Sequence, residues 1–161
     1  LHSSAIMVDG KAYLFSAPSG TGKSTHTALW RRYLGEDRVQ MLNDDKPAVR
    51  LVGDEVYAFG TPWSGKTDQN INTGVPLGGV VFLSRSETNT IRSATTADTV
   101  KQLFWQTARP RSQERLEQLL DLYEKVVLNV PVFEMGCNIS EEAVKVAYEA
   151  LLGKKYKAER N

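Results

Sequence analysis

The residues best suited to chemistry form the stretch Ala17-Pro18-Ser19-Gly20-Thr21-Gly22-Lys23-Ser24, with Thr25 directly behind it. It follows an apolar, strand-like run and opens a helix-like one, which is the setting a phosphate-binding loop requires. Small residues let successive backbone N–H groups turn toward one anion, and the following helix adds the partial positive charge of its N-terminus. Lys23 supplies a point charge for the outer phosphates, and the Ser24 hydroxyl can sit on a magnesium ion that bridges them. Contacts to a nucleoside triphosphate would come from Ser19, Gly20, Thr21, Gly22, Lys23, Ser24 and Thr25. Where the usual pattern begins with glycine this chain has Ala17, which predicts a negative φ at that corner. A glycine-serine turn with a chance lysine is the plain alternative, and the flanking strand and helix signals argue against it.

A second pair, Asp44-Asp45, comes about twenty residues later at the end of a strand-like run. In-line phosphoryl transfer needs a metal held and an attacking hydroxyl oriented. Neighbouring residues leaving a strand point in different directions, so Asp44 is assigned to the metal side and Asp45 to the proton of the acceptor hydroxyl. Asn43 and two aspartates are also an ordinary turn composition, the reading to prefer were the loop absent.

The elements that must position these groups are legible in order. Two short apolar runs, Ala5–Val8 and Lys11–Ser16, flank Asp9-Gly10, a strong hairpin signal. Thr27, Ala28, Trp30, Arg31 and Leu34 then read as a helix of about three turns closed by Gly35. Val39–Leu42 reads as a strand, and Ala48–Val52 and Glu55–Phe59 as a second hairpin around Gly53-Asp54. Residues 60–76 read as a long functional loop, Leu77–Leu83 as a buried strand, and Thr90–Arg92 as its partner across Glu87–Asn89. Thr95 or Thr96 caps a helix bearing Ala97, Val100, Leu103, Phe104 and Thr107, and Ser112 caps one with Leu116, Leu119, Leu120, Tyr123 and Val127 inward. Val130–Met135 reads as an edge strand because Pro131 donates nothing, and Ser140 caps a last helix ending at Gly153.

With 161 residues, 41% hydrophobic and 24% charged, the chain carries enough apolar material for one core, and we expect one domain over 1–153 with a basic tail over 154–161. A formal charge of +1 gives no electrostatic argument for nucleic acid or a membrane surface. The lone Cys137 forms neither a disulfide framework nor a metal site. No segment has the length and apolarity of a membrane span or the pattern of a signal peptide, so a cytoplasmic location is expected. Leu1 stands directly ahead of a strand without a methionine, as in a piece of a longer protein.

The run from His2 through Asp45 resembles the catalytic domain of HPr kinase/phosphorylase, a P-loop fold shared with PEP carboxykinase: a histidine, a strand hairpin, a loop ending Gly-Lys-Ser, a helix, then a strand ending Asp-Asp. Looser similarity extends through Val130-Pro131-Val132 to the last helix. The resemblance implies an α/β, mixed-sheet P-loop domain with packed helices, binding ATP and Mg²⁺ and moving the γ-phosphoryl group to a serine hydroxyl. It carries Lys23, Ser24 and Asp45 into their roles and sets His2 at an active-site histidine. The family's Pro-Gly-Arg-Asn segment looks here like Met135-Gly136-Cys137-Asn138, without the arginine, and a downstream magnesium-binding glutamate has no counterpart. These departures argue against reverse phosphorylase activity and against HPr as substrate.

Trp63 and Lys66 could stack on a substrate and hold an anion, with Gly65 allowing close approach; equally, Trp63 could plug the loop onto the core. Arg109 and Arg111 could replace the missing arginine, against a plainer reading as helix-end charges. His26 has no carboxylate partner in sequence and reads as a surface residue. The function expected is a kinase acting on a hydroxyl of a protein, peptide or free amino acid. A nucleotide-binding regulatory module and a carboxykinase-like enzyme on a small carboxylic acid are the alternatives. Expected partners are a nucleoside triphosphate and a hydroxyl-bearing acceptor, with homo-oligomerisation left open.

Overall fold

The computed structural model describes residues 1–158, so the expected tail over 154–161 lies partly outside the described residues. β1 (Ser3–Val8) turns into β2 (Lys11–Ser16) through Asp9-Gly10, with φ of 50° and 77° and Val8 facing Lys11. Left-handed backbone at both central residues twists the turn in the sense the strands require. β2 delivers the loop to α1 (Lys23–Leu34), which stops at Gly35. There follow β3 (Val39–Asn43), the hairpin β4 (Ala48–Val52) and β5 (Glu55–Phe59), β6 (Gly74–Arg85) and β7 (Thr90–Ser93). The chain then continues into α2 (Thr96–Gln106), α3 (Gln113–Asn129), β8 (Val132–Cys137) and α4 (Glu141–Leu152).

The strands make one mixed sheet. β1 is antiparallel to both β2 and β3, so β2 and β3 run the same way, and β2-β6 and β6-β8 are parallel pairs. Four strands therefore finish at one edge of the sheet, carrying the loop after β2, the aspartates after β3, Arg85 at the end of β6 and Cys137 at the end of β8. Ligands of open α/β sheets sit outside such carboxyl ends. The β4-β5 hairpin joins the sheet through the first residues of β6.

Helices cover both faces. Trp30 of α1 and Tyr148 of α4 pack with Phe15 and Met135 on one side, and Leu103 of α2 and Tyr123 of α3 pack with Leu14 and Phe82 on the other. This α/β architecture with a mixed sheet and packed helices agrees with the class read from the sequence. Thr95 and Ser140 cap α2 and α4 as expected, each accepting a backbone N–H three residues on.

Several local expectations are corrected. β7 does not pair with β6, because β8 inserts between them, parallel to β6 and antiparallel to β7. β8 is thus an interior strand; Pro131 lies just ahead of it, and its carbonyl accepts from the Val80 N–H. The loop after β5 is shorter than read, since β6 begins at Gly74 and its first residues pair with β5. In α3 the buried residues are Tyr123 and Val126, with Leu119 and Leu122 packed alongside, while Leu116 and Leu120 are exposed.

Trp30 is fully buried, tilted against both Phe15 and Tyr148, and thereby joins α1 to the sheet and to α4. Trp30→Ala is expected to lower stability by about 3–5 kcal/mol, read as a fall in the urea unfolding midpoint.

Candidate active site

The loop between β2 and α1 turns on two glycines with positive φ, Gly20 at 80° and Gly22 at 116°, conformations that a Cβ would strain. Ala17 is not among the positive-φ residues, which is why alanine is accepted at that corner. Lys23 is buried at 8% exposure, and its ammonium donates to the carbonyls of Ala17 at 3.0 Å and Pro18 at 3.4 Å. Burial holds its pKa below the ordinary lysine value, and the charges of Asp45 and then Asp44 pull it back up. Both aspartates therefore act on the lysine electrostatically. Ser24 and Thr25 are exposed at the start of α1.

The two neighbouring carboxylates have different surroundings. Asp44 is buried, with one oxygen accepting from Ser4 Oγ at 2.5 Å and the other from Thr67 Oγ1 at 2.7 Å. The Asp45 side chain is 26% exposed and lies 3.4 Å from His2 Nε2 and 3.5 Å from Lys46 Nζ. Asn43 builds the turn that separates them: its side-chain oxygen accepts the N–H groups of Asp45 and Lys46, while its amide donates to Thr61. The turn expected from composition exists, and its hydrogen bonds use the backbone N–H of Asp45 and leave the carboxylate to His2 and Lys46.

His2 is fixed by its backbone, its N–H on the Gln106 carbonyl and its carbonyl accepting from Ser16 Oγ, both at 2.8 Å. Burial, then the charge of Lys23, push its pKa below 6.5, against the opposing pull of Gln106 and Asp45. The lowered pKa favours the neutral imidazole.

The loop 60–73 folds over Asp45. Gly65 has φ 68°, and a Cβ there would meet the Asp45 Cβ at 3.0 Å, so glycine lets this loop approach Asp45. Trp63 is 67% exposed and does not plug the core, and Lys66 is exposed beside it. Arg109 is held elsewhere, stacked on Phe104 at 4.8 Å and Trp105 at 5.8 Å. The arginine touching the glycine-rich loop is Arg85, whose guanidinium donates to the carbonyls of Gly20 and Thr21. Arg85 stands opposite Cys137 in the β6-β8 register. Sequence reading missed it because a strand-end arginine shows no partner until the pairing is known. Ser4 and Thr67 were missed for the same reason.

His26 is corrected most sharply. It is buried, stacks on Phe15 at 4.7 Å between ring centroids and accepts the indole N–H of Trp30 at 3.1 Å. Its place four residues before Trp30, on the same helical face, was the available signal.

Among the described residues no group of three or more His, Cys, Asp or Glu side chains could hold a metal. Magnesium bound with a triphosphate needs only one or two protein oxygens, and the hydroxyl and carboxylates of Ser24, Asp44 and Asp45 are donors of the type it takes. No helix among the described residues is long and apolar enough to cross a membrane.

No protein-family model matches the sequence, and no curated protein matches it. Among solved structures the chain is similar to the Hpr(Ser) kinase/phosphatase from Coxiella burnetii, at 12% identity and a TM-score of 0.50, over 95% of this chain and 93% of that one. At that identity the likeness bears on the fold alone, and it is a likeness of nearly whole chains.

Burial pushes the pKa of His26 down to about 4 from 6.5. As pH falls the unfolded chain takes up this proton first, so the stabilisation is complete above pH ~6.5 and is lost between there and pH ~4. His26→Gln keeps an acceptor for Trp30 and removes the titration. The stability advantage of the native protein over this variant should shrink by about 3 kcal/mol from pH 7 to pH 4 in urea unfolding series.

Proposed function

We propose that the protein is an ATP- and Mg²⁺-dependent phosphotransferase that moves the γ-phosphoryl group to a hydroxyl, a serine of a protein, a peptide or the free amino acid. The observation that carries this reading is the Asp45 carboxylate, partly exposed beside His2 and with its charge acting on the buried Lys23. A loop that only sensed nucleotide would have no use for a second carboxylate left outside the Asn43 turn.

In this reading the N–H groups of Ser19 to Thr25 and the Lys23 ammonium bind the triphosphate. Ser24 and Asp44 would hold a magnesium ion, which would offset the charge of the phosphates. Ser4 and Thr67 keep the Asp44 carboxylate in one orientation. Asp45 accepts the proton of the acceptor hydroxyl as its oxygen bonds to the γ-phosphorus and the bond to the ADP oxygen breaks. His2 Nε2 and Lys46 Nζ stand 3.4 Å and 3.5 Å from the Asp45 carboxylate and limit where it can turn. Arg85 adds a second cation at the loop. Trp63 and Lys66, on the loop over Asp45, are the candidates to contact the acceptor. We assign no substrate contact to Arg109, whose guanidinium is occupied by the rings of α2.

The test is transfer of phosphate from labelled ATP to serine-bearing acceptors. Asp45→Asn should keep ATP affinity within about threefold and lose transfer by about 10²–10⁴-fold. Lys23→Ala should weaken ATP binding by at least about tenfold. Equal transfer by the native protein and Asp45→Asn removes Asp45 as the base.

A further inference from the structure

Two of the chain's three tryptophans stand in water. Trp30 is fully buried, whereas Trp63 is 67% exposed on the loop over Asp45 and Trp105 is 63% exposed near the end of α2. Both sit on braced backbone. The Trp105 ring meets Phe104 edge-on at 6.1 Å between centroids and carries the Arg109 guanidinium at 5.8 Å. The Trp63 N–H donates to Thr61 Oγ1 at 3.3 Å, and its carbonyl accepts the Lys46 N–H. Large aromatic side chains exposed on fixed backbone are the kind of anchor that protein interfaces use.

Backbone hydrogen bonds set these anchors on either side of the site. The Gln106 carbonyl, next to Trp105, accepts the His2 N–H at 2.8 Å, and the Asp45 carbonyl accepts the Ser3 N–H at 3.0 Å. The Lys46 N–H reaches the Trp63 carbonyl at 3.2 Å, so three bonds in series join the two tryptophan segments through His2-Ser3 and Asp45-Lys46. At roughly 5 Å per hydrogen-bonded step the span is about 15 Å, with the His2–Asp45 contact inside it. A free amino acid is too short to touch both indoles, while about four or five residues of extended polypeptide cover that distance.

The surroundings of the anchors have one sign. Within four positions of either tryptophan the chain carries Lys66, Lys101 and Arg109 and no aspartate or glutamate. All three cations are exposed, and Asp45, between the anchors, has Lys46 at 3.5 Å. A visiting chain with carboxylates therefore meets opposite charge beside both indoles.

We infer that Trp63 and Trp105 anchor a docking surface for an acidic polypeptide, which presents its hydroxyl residue to Asp45 and an apolar side chain on each side to an indole. The inference rests on the phosphotransferase reading above and narrows the acceptor of that reading to a peptide or protein. Arg109 braces the Trp105 ring and itself touches no acceptor.

The probes are free serine and two acetylated pentapeptide amides, Leu-Asp-Ser-Asp-Leu and Gly-Gly-Ser-Gly-Gly. Docking is read without transfer, as protection of the exposed indoles from acrylamide quenching of their fluorescence: the leucine peptide should protect, and the glycine peptide and serine should not. Trp105→Ala should weaken binding of the leucine peptide about tenfold and Trp105→Phe by no more than about threefold, at an exposed position that leaves the core untouched. In transfer from labelled ATP the leucine peptide should exceed the glycine peptide and serine by at least about tenfold in kcat/KM, and the Trp105→Ala loss should fall on KM rather than kcat. Absence of binding, equal affinity for the two peptides, or native-like binding of the leucine peptide by Trp105→Ala overturns the docking surface and leaves the reaction standing. Equal binding of a leucine peptide with asparagine in place of both aspartates overturns the acidic partner. Docking as described with no transfer to any of the acceptors overturns the phosphotransferase reading and leaves the surface standing.

Discussion

One buried hydroxyl ties the parts of the site together. Ser4 Oγ on β1 donates to Asp44 at the end of β3 and lies 2.8 Å from Thr27 Oγ1 on α1. An ionised carboxylate only accepts, so the Ser4 proton is committed to Asp44 and the bond with Thr27 is completed by the threonine proton. Thr27 also lies within reach of the Lys23 and Ser24 carbonyls in the first turn of its helix. The start of α1 and the aspartate strand are therefore referenced to the same atom. Such a network restricts the relative placement of two elements more than apolar packing does, because a small slide breaks directional bonds in a place that water does not reach.

The strand directions explain why this matters. β1 lies between β2 and β3 and runs against both, so it separates the loop from the aspartates by one strand while bringing its own first residues to the same edge. His2 and Ser3 sit there, with Ser3 N–H on the Asp45 carbonyl. The histidine ahead of the hairpin and the aspartates after the helix are far apart in sequence and adjacent in space for that reason alone.

Much of this was readable beforehand. The Asp9-Gly10 and Gly53-Asp54 turns, the loop itself, the Thr95 and Ser140 caps and the carboxylate pair at a strand end are local patterns whose physics lies within a few residues. What the sequence concealed depends on distant pairing. Thr90–Arg92 looked like the return strand of a hairpin, yet β8 takes that place from some forty residues further on, through a parallel pairing that no turn residue announces. Arg85 becomes a site residue only through the parallel pairing of β6 with β2, which also has no turn residue to announce it. His26 was misjudged because its partner was sought among carboxylates, whereas the indole N–H of Trp30 needed an acceptor inside the core. The exposed Leu116 and Leu120 show that an apolar repeat on α3 is wider than the surface that α2 and the sheet can cover.

The contacts of Lys23 and Arg85 brace the loop from two sides. Lys23 donates to the carbonyls of Ala17 and Pro18, and Arg85, from the end of β6, to those of Gly20 and Thr21, so two cations already offset the loop's own dipoles. In the phosphotransferase reading an anion arriving there would exchange partners instead of simply adding them. On that reading the carbonyls of Ala17, Pro18, Gly20 and Thr21 thus hold the places of the phosphate oxygens that would displace them from the two cations.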